Sequence, residues 1–441
     1  MTRLILILFG GDALIQRWRA IFGLGVLTLL VALAVLGDLV DGVADITTLL
    51  LGLILLALAL FELMVGATHT GVRRQLELLR GLVMLTGASL VLDFPWDNAI
   101  TSGAIFGVAF LLNGLFRLVA CWLVRHPRWR LSALLGGGYV IAALLLLTSW
   151  PLPDDRNVSF CLGVALLAAG ATLMRGALQL RRLPPGTRVG QLGLLQSSPM
   201  AEPPSALADA VQPAGPRAPL TVHVWTAATA TDDRIRLPVI ELYVVALSRK
   251  GHAYSGHAAL ECRPGCVYIS HHPRGRLRID ASNALQQVRA TSENNRPGRW
   301  GDSYGEEAAA GRPSTLKVRF HRYNARHLQS FWQQYRQDDT YNFTHRNCSS
   351  AVARALDAAL EGSFADKPFW PTLLRLLFTI DLWHAGRVRV RADALAWTPG
   401  FVQDYASALR RITYPRDQRR LRRRRRSARG RKADAAVGNL A

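Results

Sequence analysis

The residues best equipped for chemistry lie in the stretch Tyr341-Asn342-Phe343-Thr344-His345-Arg346-Asn347-Cys348-Ser349-Ser350. Val352, Leu356 and Leu360 follow at i, i+4 and i+8, which predicts a helix over Cys348–Leu360 with one buried face. Gly362 is placed to end it. Asn347 can cap this helix, which puts the Cys348 thiol in its first turn. The partial positive charge of a helix N-terminus favours a thiolate. Upstream, Tyr254-Ser255-Gly256-His257-Ala258-Ala259-Leu260 reads as strand and carries His257. A histidine brought against the thiol completes a nucleophile–base pair. His345, three residues before the thiol, is an alternative base.

The group that orients His257 is sought on the next strand. Arg263-Pro264-Gly265 has turn chemistry and joins strands predicted over Ala253–Cys262 and Val267–His271. If Cys262 opposes Cys266, His257 lies opposite His271, and opposed residues share a face. A one-residue change of register substitutes Ser270 or His272. Cys262, Cys266, His271 and His272 are a competing zinc set, but C-x-x-x-C across a Pro-Gly turn is not a strong zinc spacing. The expectation is a thiol site with neither cofactor nor metal.

Half of the 441 residues are hydrophobic, yet the net charge is +22, an odd combination for a soluble enzyme. It resolves on division: residues 1–182 hold most of the apolar runs and residues 183–441 most of the charge. Six apolar stretches, near 20–38, 46–66, 76–93, 101–123, 131–149 and 158–180, are each long enough for a bilayer core of about 30 Å. They repeat. Gly25, Gly81 and Gly137 recur every 56 residues, and Gly52, Gly107 and Gly163 every 55 or 56. Small residues (Ala59, Gly114, Gly170) follow the second set seven positions on. This is a helical hairpin used three times, with small residues admitting close helix contact. Connectors alternate in charge: Asp38, Asp41 and Asp45, Asp93 and Asp97, Asp154 and Asp155 on one side; Arg17 and Arg19, Arg73 and Arg74, Arg125, Arg128 and Arg130, Arg181 and Arg182 on the other. Positive charge marks the cytoplasm, so both termini are expected there, with Arg156 the one dissenter. Glu62, Glu77, Arg80, Arg117 and Arg175 fall toward the cytoplasmic ends of their helices, where snorkelling or Glu–Arg pairing explains them.

Eight prolines within 183–219 make a semi-extended linker. A mixed strand-and-helix domain is expected over 220–362, a helical extension over 363–409 and a polybasic tail over 410–441. Phe369–Trp383 suits either a helix lying in the membrane interface or one packed on the domain. The tail is solvated or held on anionic lipid; nucleic acid is disfavoured because no aromatic residue interleaves the arginines after Tyr414. Five cysteines do not form a disulfide framework, and the first twenty residues lack a signal-peptide cleavage site.

The three glycine-led hairpins of about residues 15–182 resemble the HdeD-like acid-resistance membrane proteins of bacteria. The order His on a strand, polar residue on the next strand, then Asn-Cys at a helix start resembles the circularly permuted papain-like enzymes over about 220–362. That group includes permuted NlpC-type peptidases, lecithin retinol acyltransferase-like proteins and a family related to the Lnb N-terminal periplasmic domain. The first resemblance implies an inner-membrane protein of acid or envelope stress. The second implies a cysteine peptidase, amidase or acyltransferase acting on a peptide or acyl group, with Cys348 as nucleophile, His257 as base and acid and His271 as orienting group. The Lnb-related domain is periplasmic, whereas the charge pattern here points to the cytoplasm. A non-enzymatic stress protein with a binding module is the alternative.

Overall fold

A computed structural model describes residues 2–41, 44–68, 72–93, 102–125, 129–148, 150, 154–183, 219–226, 234–235, 246–248, 253–254, 256–262, 267–275 and 284–414. The linker and the polybasic tail lie outside the described residues, apart from their edges.

The apolar repeat forms six long helices: α3 (Trp18–Asp41), α4 (Ala44–Thr68), α5 (Val72–Val91), α6 (Ser102–Val124), α7 (Trp129–Thr148) and α8 (Asp154–Arg181). Four are long and apolar enough to cross a membrane, over Trp18–Gly37, Gly103–Val124, Trp129–Thr148 and Ser159–Arg181. In α4 the apolar stretch is the shorter Leu51–Ala67, and α5 carries Arg73, Arg74, Glu77 and Arg80 in its first half. Leucines such as Leu24, Leu30, Leu112 and Leu134 are more than half exposed around the bundle. An apolar belt of that extent marks lipid contact.

The tight helix pairs are not the expected hairpins. α3 lies along α8, α4 along α5 and α6 along α7. The small residues explain this, because they face the neighbouring unit. A Cβ on Gly52 would meet Leu92, one on Gly107 Leu147 and one on Gly163 Leu36. These are repeat-related contacts, and the third closes the last unit onto the first. The first glycine set is corrected by one residue: Gly136 packs on Leu118, while Gly137 has open space. Gly163→Leu is therefore expected to cost about 1–3 kcal/mol by overpacking. Gly23→Leu, at a position with nothing within 4 Å, should be near neutral. Melting of the two variants in detergent checks the difference.

The sheet-bearing region begins with β1 (Leu220–Trp225) and continues through β2 (Arg234–Ile235), β3 (Ala246–Ser248), β4 (Ala253–Tyr254), β5 (His257–Cys262), β6 (Val267–Ile269) and β7 (His271–Pro273). Then come α9 (Ala284–Gln287), β8 (Arg296–Trp300), α10 (Tyr304–Ala310), β9 (Leu316–Phe320), α11 (Ala325–Tyr335), β10 (Thr340–Tyr341) and α12 (Cys348–Leu360). The main sheet is antiparallel in the order β6-β5-β1-β9, and β10-β8-β7 and β2-β3-β4 form two smaller sheets. Helix α12 packs on β5, laying Val352, Leu356 and Leu360 into the core. Gly362 follows it with φ +76, a conformation that favours glycine.

The chain's first residues complete this core. α1 (Thr2–Phe9) and α2 (Gly11–Ile15) bury Leu4, Leu8, Phe9 and Leu14 among the residues of β1, β5 and α12. The carbonyls of Ile7 and Leu8 accept the N–H groups of Gly362 and Phe364, both at 2.9 Å. Gly10, at φ +82, approaches Gly362 so closely that a Cβ would lie 3.0 Å from its Cα. The expected boundary between a membrane part and a later domain is thus crossed by the first helix.

Three further helices, α13 (Phe369–Leu377), α14 (Ile380–Ala394) and α15 (Pro399–Thr413), cover the core. Phe369–Trp383 is broken at Phe378–Thr379 rather than forming one helix. α13 buries Phe369 and Leu376 and leaves Trp370, Leu374 and Phe378 outside, the last 86% exposed. Arg387 of α14 pairs with Glu62 of α4 and, at 3.5 Å, with Glu77 of α5. Arg80 lies 3.9 Å from Glu62. The Arg80–Glu62 contact is the expected pairing, and Arg387, outside that expectation, joins the bundle to the C-terminal helices.

Candidate active site

Cys348 is the first residue of α12, and Asn347 places it. The Asn347 Oδ1 accepts the Ser350 N–H at 2.8 Å, and Ser350 Oγ accepts the Asn347 N–H at 2.9 Å, a reciprocal cap. The Asn347 amide also donates to the carbonyls of Phe343 (2.6 Å) and Trp397 (2.9 Å). Its polar atoms are fully engaged in setting the helix start, so it does not orient the base. The Trp397 bond gives the C-terminal helices a part in holding the site. With the cap on the Ser350 N–H, the N–H groups of Cys348 and Ser349 have no helical partner.

Two buried polar residues hold the loop before it. Asn342 Oδ1 accepts the Thr344 N–H at 3.1 Å, and its Nδ2 donates to Asn295 Oδ1 at 3.0 Å. Arg346 donates to the carbonyls of Thr340 (2.8 Å) and Tyr335 (3.1 Å) and lies 4.2 Å over the Tyr335 ring.

His257 opens β5 directly after Gly256, whose φ of +70 turns the chain into the strand. The electrostatics couple the Cys348 thiol to the His257 side chain and the Ala258 backbone, and its Sγ lies 3.7 Å from Ser349 Oγ. On its other side, His257 Nε2 lies 2.8 Å from Ser270 Oγ and 3.5 Å from Glu307 Oε2. Ser270 Oγ is a hub: it donates to Glu307 Oε1 at 2.5 Å and lies 2.9 Å from His272 Nε2. His272 Nε2 also meets Glu307 Oε1 at 2.8 Å, and its ring stacks on His257 with centroids 4.3 Å apart. A hydroxyl has one proton. With that proton on Glu307, Ser270 accepts from His257 Nε2–H, which leaves Nδ1 as the nitrogen for the thiol.

The electrostatics follow. Burial by itself depresses the His257 imidazole, but the Cys348 thiolate and the Glu307 carboxylate outweigh it and raise its pKa to about 9. Burial pushes the Cys348 thiol up, and the adjacent His257 charge and hydrogen bond pull it below its ordinary value. Glu307, although partly desolvated, is held well below the carboxylate range by His257 and His272. The arrangement is a thiolate–imidazolium pair with a carboxylate behind it.

The expected residues divide cleanly. Cys348 and His257 are brought together; His271 is not with them. The β5–β6 register pairs Cys262 with Val267, not with Cys266, and this one-residue difference puts Ser270 and His272 at the site. His271 turns into the second sheet, stacks on Trp300 at 4.1 Å and meets the Asp339 carbonyl at 3.2 Å. Burial lowers it to about 4. His345 is likewise lowered to about 4 by burial and by Arg354 and Arg346. Cys262 Sγ contacts Tyr323 Oη at 3.0 Å, so it does not converge with His271 and His272 on a zinc ion; Cys266 lies outside the described residues. Among the described residues, the ligand atoms of His257, His272 and Glu307 do lie within 4.8 Å of one another.

Glu307 was invisible as a site residue in the sequence, although Ser303-Tyr304-Gly305-Glu306 is a helix-start signature. Ser303 Oγ indeed accepts the Glu306 N–H at 3.2 Å and opens α10. Gly301 makes room for the hub, since a Cβ there would lie 2.4 Å from Glu307 Oε1. Gly301→Ala and Glu307→Gln are both expected to lower the thiolate fraction of Cys348. A loss of about 1.4 kcal/mol of ion pairing reads as alkylation slower by up to roughly tenfold at acid pH, measured by mass spectrometry of the Cys348 peptide.

Comparison with protein-family models, curated proteins and solved structures finds no match for this chain.

Proposed function

We propose that this is a membrane-tethered cysteine hydrolase or acyltransferase of permuted papain-like type. The observation that carries the reading is the electrostatic coupling of Cys348 to His257 at a capped helix N-terminus. The Cys348 thiolate attacks a carbonyl carbon, forming the C–S bond. The oxyanion is met by the free N–H of Cys348. Collapse breaks the C–N or C–O bond, and His257 Nδ1–H gives its proton to the leaving group. Water or an acceptor alcohol or amine then attacks the thioester. His257 takes the proton of that nucleophile and the thiolate leaves. Ser270 and Glu307 hold the imidazole in the required tautomer.

We further read the six long helices as an HdeD-like bundle of six crossings with both termini cytoplasmic. Residues before and after the bundle share one core, which requires an even number of crossings. The sheet-bearing region meets the bundle through Glu62 and Glu77 and through the Val124 carbonyl, at the arginine-rich end that the charge rule assigns to the cytoplasm. Trp370, Leu374 and Phe378 then rest in the adjacent interface, and the Arg-rich tail follows on anionic lipid. This placement favours acyl or peptide substrates carried by the membrane, in acid or envelope stress.

The test uses full-length protein in detergent with a short-chain p-nitrophenyl ester as acyl donor. The expected result is a burst of about one equivalent of nitrophenol and an acyl mass on the Cys348 peptide, both absent in Cys348→Ser. Folded protein that never acylates at Cys348 would leave the region as a binding module.

A further inference from the structure

We propose that His257, His272 and Glu307 form a binding site for a zinc-like divalent ion, and that the bound ion silences the Cys348–His257 pair. Two imidazole nitrogens and one carboxylate are the three-ligand set that zinc takes when a fourth position stays open. Nitrogen-rich ligation of this kind selects against magnesium and calcium, which take oxygen.

The ligand atoms all lie within 4.8 Å of one another, so small side-chain adjustments bring them onto one ion. With metal–ligand distances of about 2.0–2.2 Å, tetrahedral ligand atoms stand about 3.3–3.6 Å apart. His257 Nε2 and Glu307 Oε2 are 3.5 Å apart, and His272 Nε2 and Glu307 Oε1 are 2.8 Å apart. The Ser270 hydroxyl lies 2.5 Å from Glu307 Oε1, 2.8 Å from His257 Nε2 and 2.9 Å from His272 Nε2. It therefore stands in the middle of the three ligands and need only swing aside about its Cα–Cβ bond to admit the ion. Each ligand side chain keeps some exposure, between 17% and 26%, which gives an ion a way in. The ligands come from three different elements, so the spacing is set by the fold and not by one flexible loop.

Silencing follows from the two ring nitrogens of His257. The active tautomer carries its proton on Nε2 and accepts the thiol proton at Nδ1. A metal ion needs the Nε2 lone pair, which moves the ring proton to Nδ1. That nitrogen then has no lone pair to take the proton of the nucleophile that attacks the thioester, so turnover stops at the acyl-enzyme while the thiolate persists. Cys348 is not among the converging ligand atoms, which are those of His257, His272 and Glu307. The silencing rests on the thiol reading above; the binding does not.

The experiment uses chelator-stripped full-length protein in detergent, titrated with Co2+ as a spectroscopic stand-in and then with Zn2+. Expected are one equivalent of bound Co2+ with the visible absorption of a four-coordinate nitrogen–oxygen site and its displacement by Zn2+. Binding should weaken roughly 10- to 100-fold in His272→Ala and in Glu307→Gln and be retained in Cys348→Ala. In the same samples, one equivalent of Zn2+ should slow p-nitrophenyl ester turnover after the burst, and chelator should restore it. No stoichiometric Co2+ spectrum, or binding unchanged in both ligand variants, would overturn the site. A sulfur-to-cobalt band lost in Cys348→Ala would overturn it too, by putting the ion on the thiol. Binding without any effect on ester turnover would keep the site and overturn the silencing. Slow alkylation in metal-free protein would count against the thiol reading alone and leave the cobalt result standing.

Discussion

Replacing His257 by alanine is expected to slow acyl transfer onto Cys348 by roughly 10²–10⁴-fold, the range for loss of a positioned general base. Cys348→Ala is expected to abolish the transfer. The effect is large because His257 does two things at once. It holds the thiolate by charge and hydrogen bond, and it supplies the proton for the leaving group. Its pKa of about 9 sets the sign of the pH dependence. The imidazolium is present below about pH 9 and lost above it, so turnover falls on the basic side there. It falls on the acid side where the thiol protonates. The same raised pKa means that ion pairing at His257 stabilises the fold fully below its ordinary value near 6.5 and is lost as pH rises through about 9. His271→Ala separates the two sheets' histidines. Stacked on Trp300 and 3.2 Å from the Asp339 carbonyl, it is a packing residue, and its removal should lower stability while changing the acylation rate only a few-fold.

Phe9→Ala is expected to cost about 3–5 kcal/mol, a large share of the roughly 5–15 kcal/mol that holds a domain folded. Phe9 is 1% exposed and sits 4.5 Å from the Phe369 ring. Leu8 beside it is wholly buried. Deleting residues 2–9 goes further. It strips the core of β1 and α12 and leaves the Gly362 and Phe364 N–H groups without their acceptors. The expected result is rapid proteolysis within 219–414, with the helical bundle still extractable as a folded unit. Protease resistance equal to that of the intact chain would contradict the shared core.

What the sequence made legible follows short-range physics. The start of α12 at Cys348 could be read because Asn347 caps it and Val352, Leu356 and Leu360 share a face. The period of the bundle could be read because close helix contact demands glycine at repeat-related positions. What failed depended on partners far along the chain. Cys262 pairs with Val267, so four residues, 263–266, join the strands where a Cys262–Cys266 pairing would leave three, and that single step replaced His271 by Ser270 and His272. β8, Arg296-Pro297-Gly298-Arg299-Trp300, alternates no apolar residues, so its sheet was not foreseen. Glu307 behind it had no visible role. The apolar residues Leu4–Phe9 looked like membrane-adjacent sequence because their partners, Gly362 and Phe364, stand some 350 positions away.

The most direct measurement of the central claim is the rate of Cys348 alkylation by iodoacetamide as a function of pH, read on its peptide by mass spectrometry. With His257 beside it, the thiol pKa is lowered, so the rate should fall less steeply from pH 8 to pH 6 than that of a free cysteine, and steepen in His257→Ala. A rate that falls about tenfold per pH unit in the native protein, as for a free cysteine with pKa near 8.5, would contradict the activated pair.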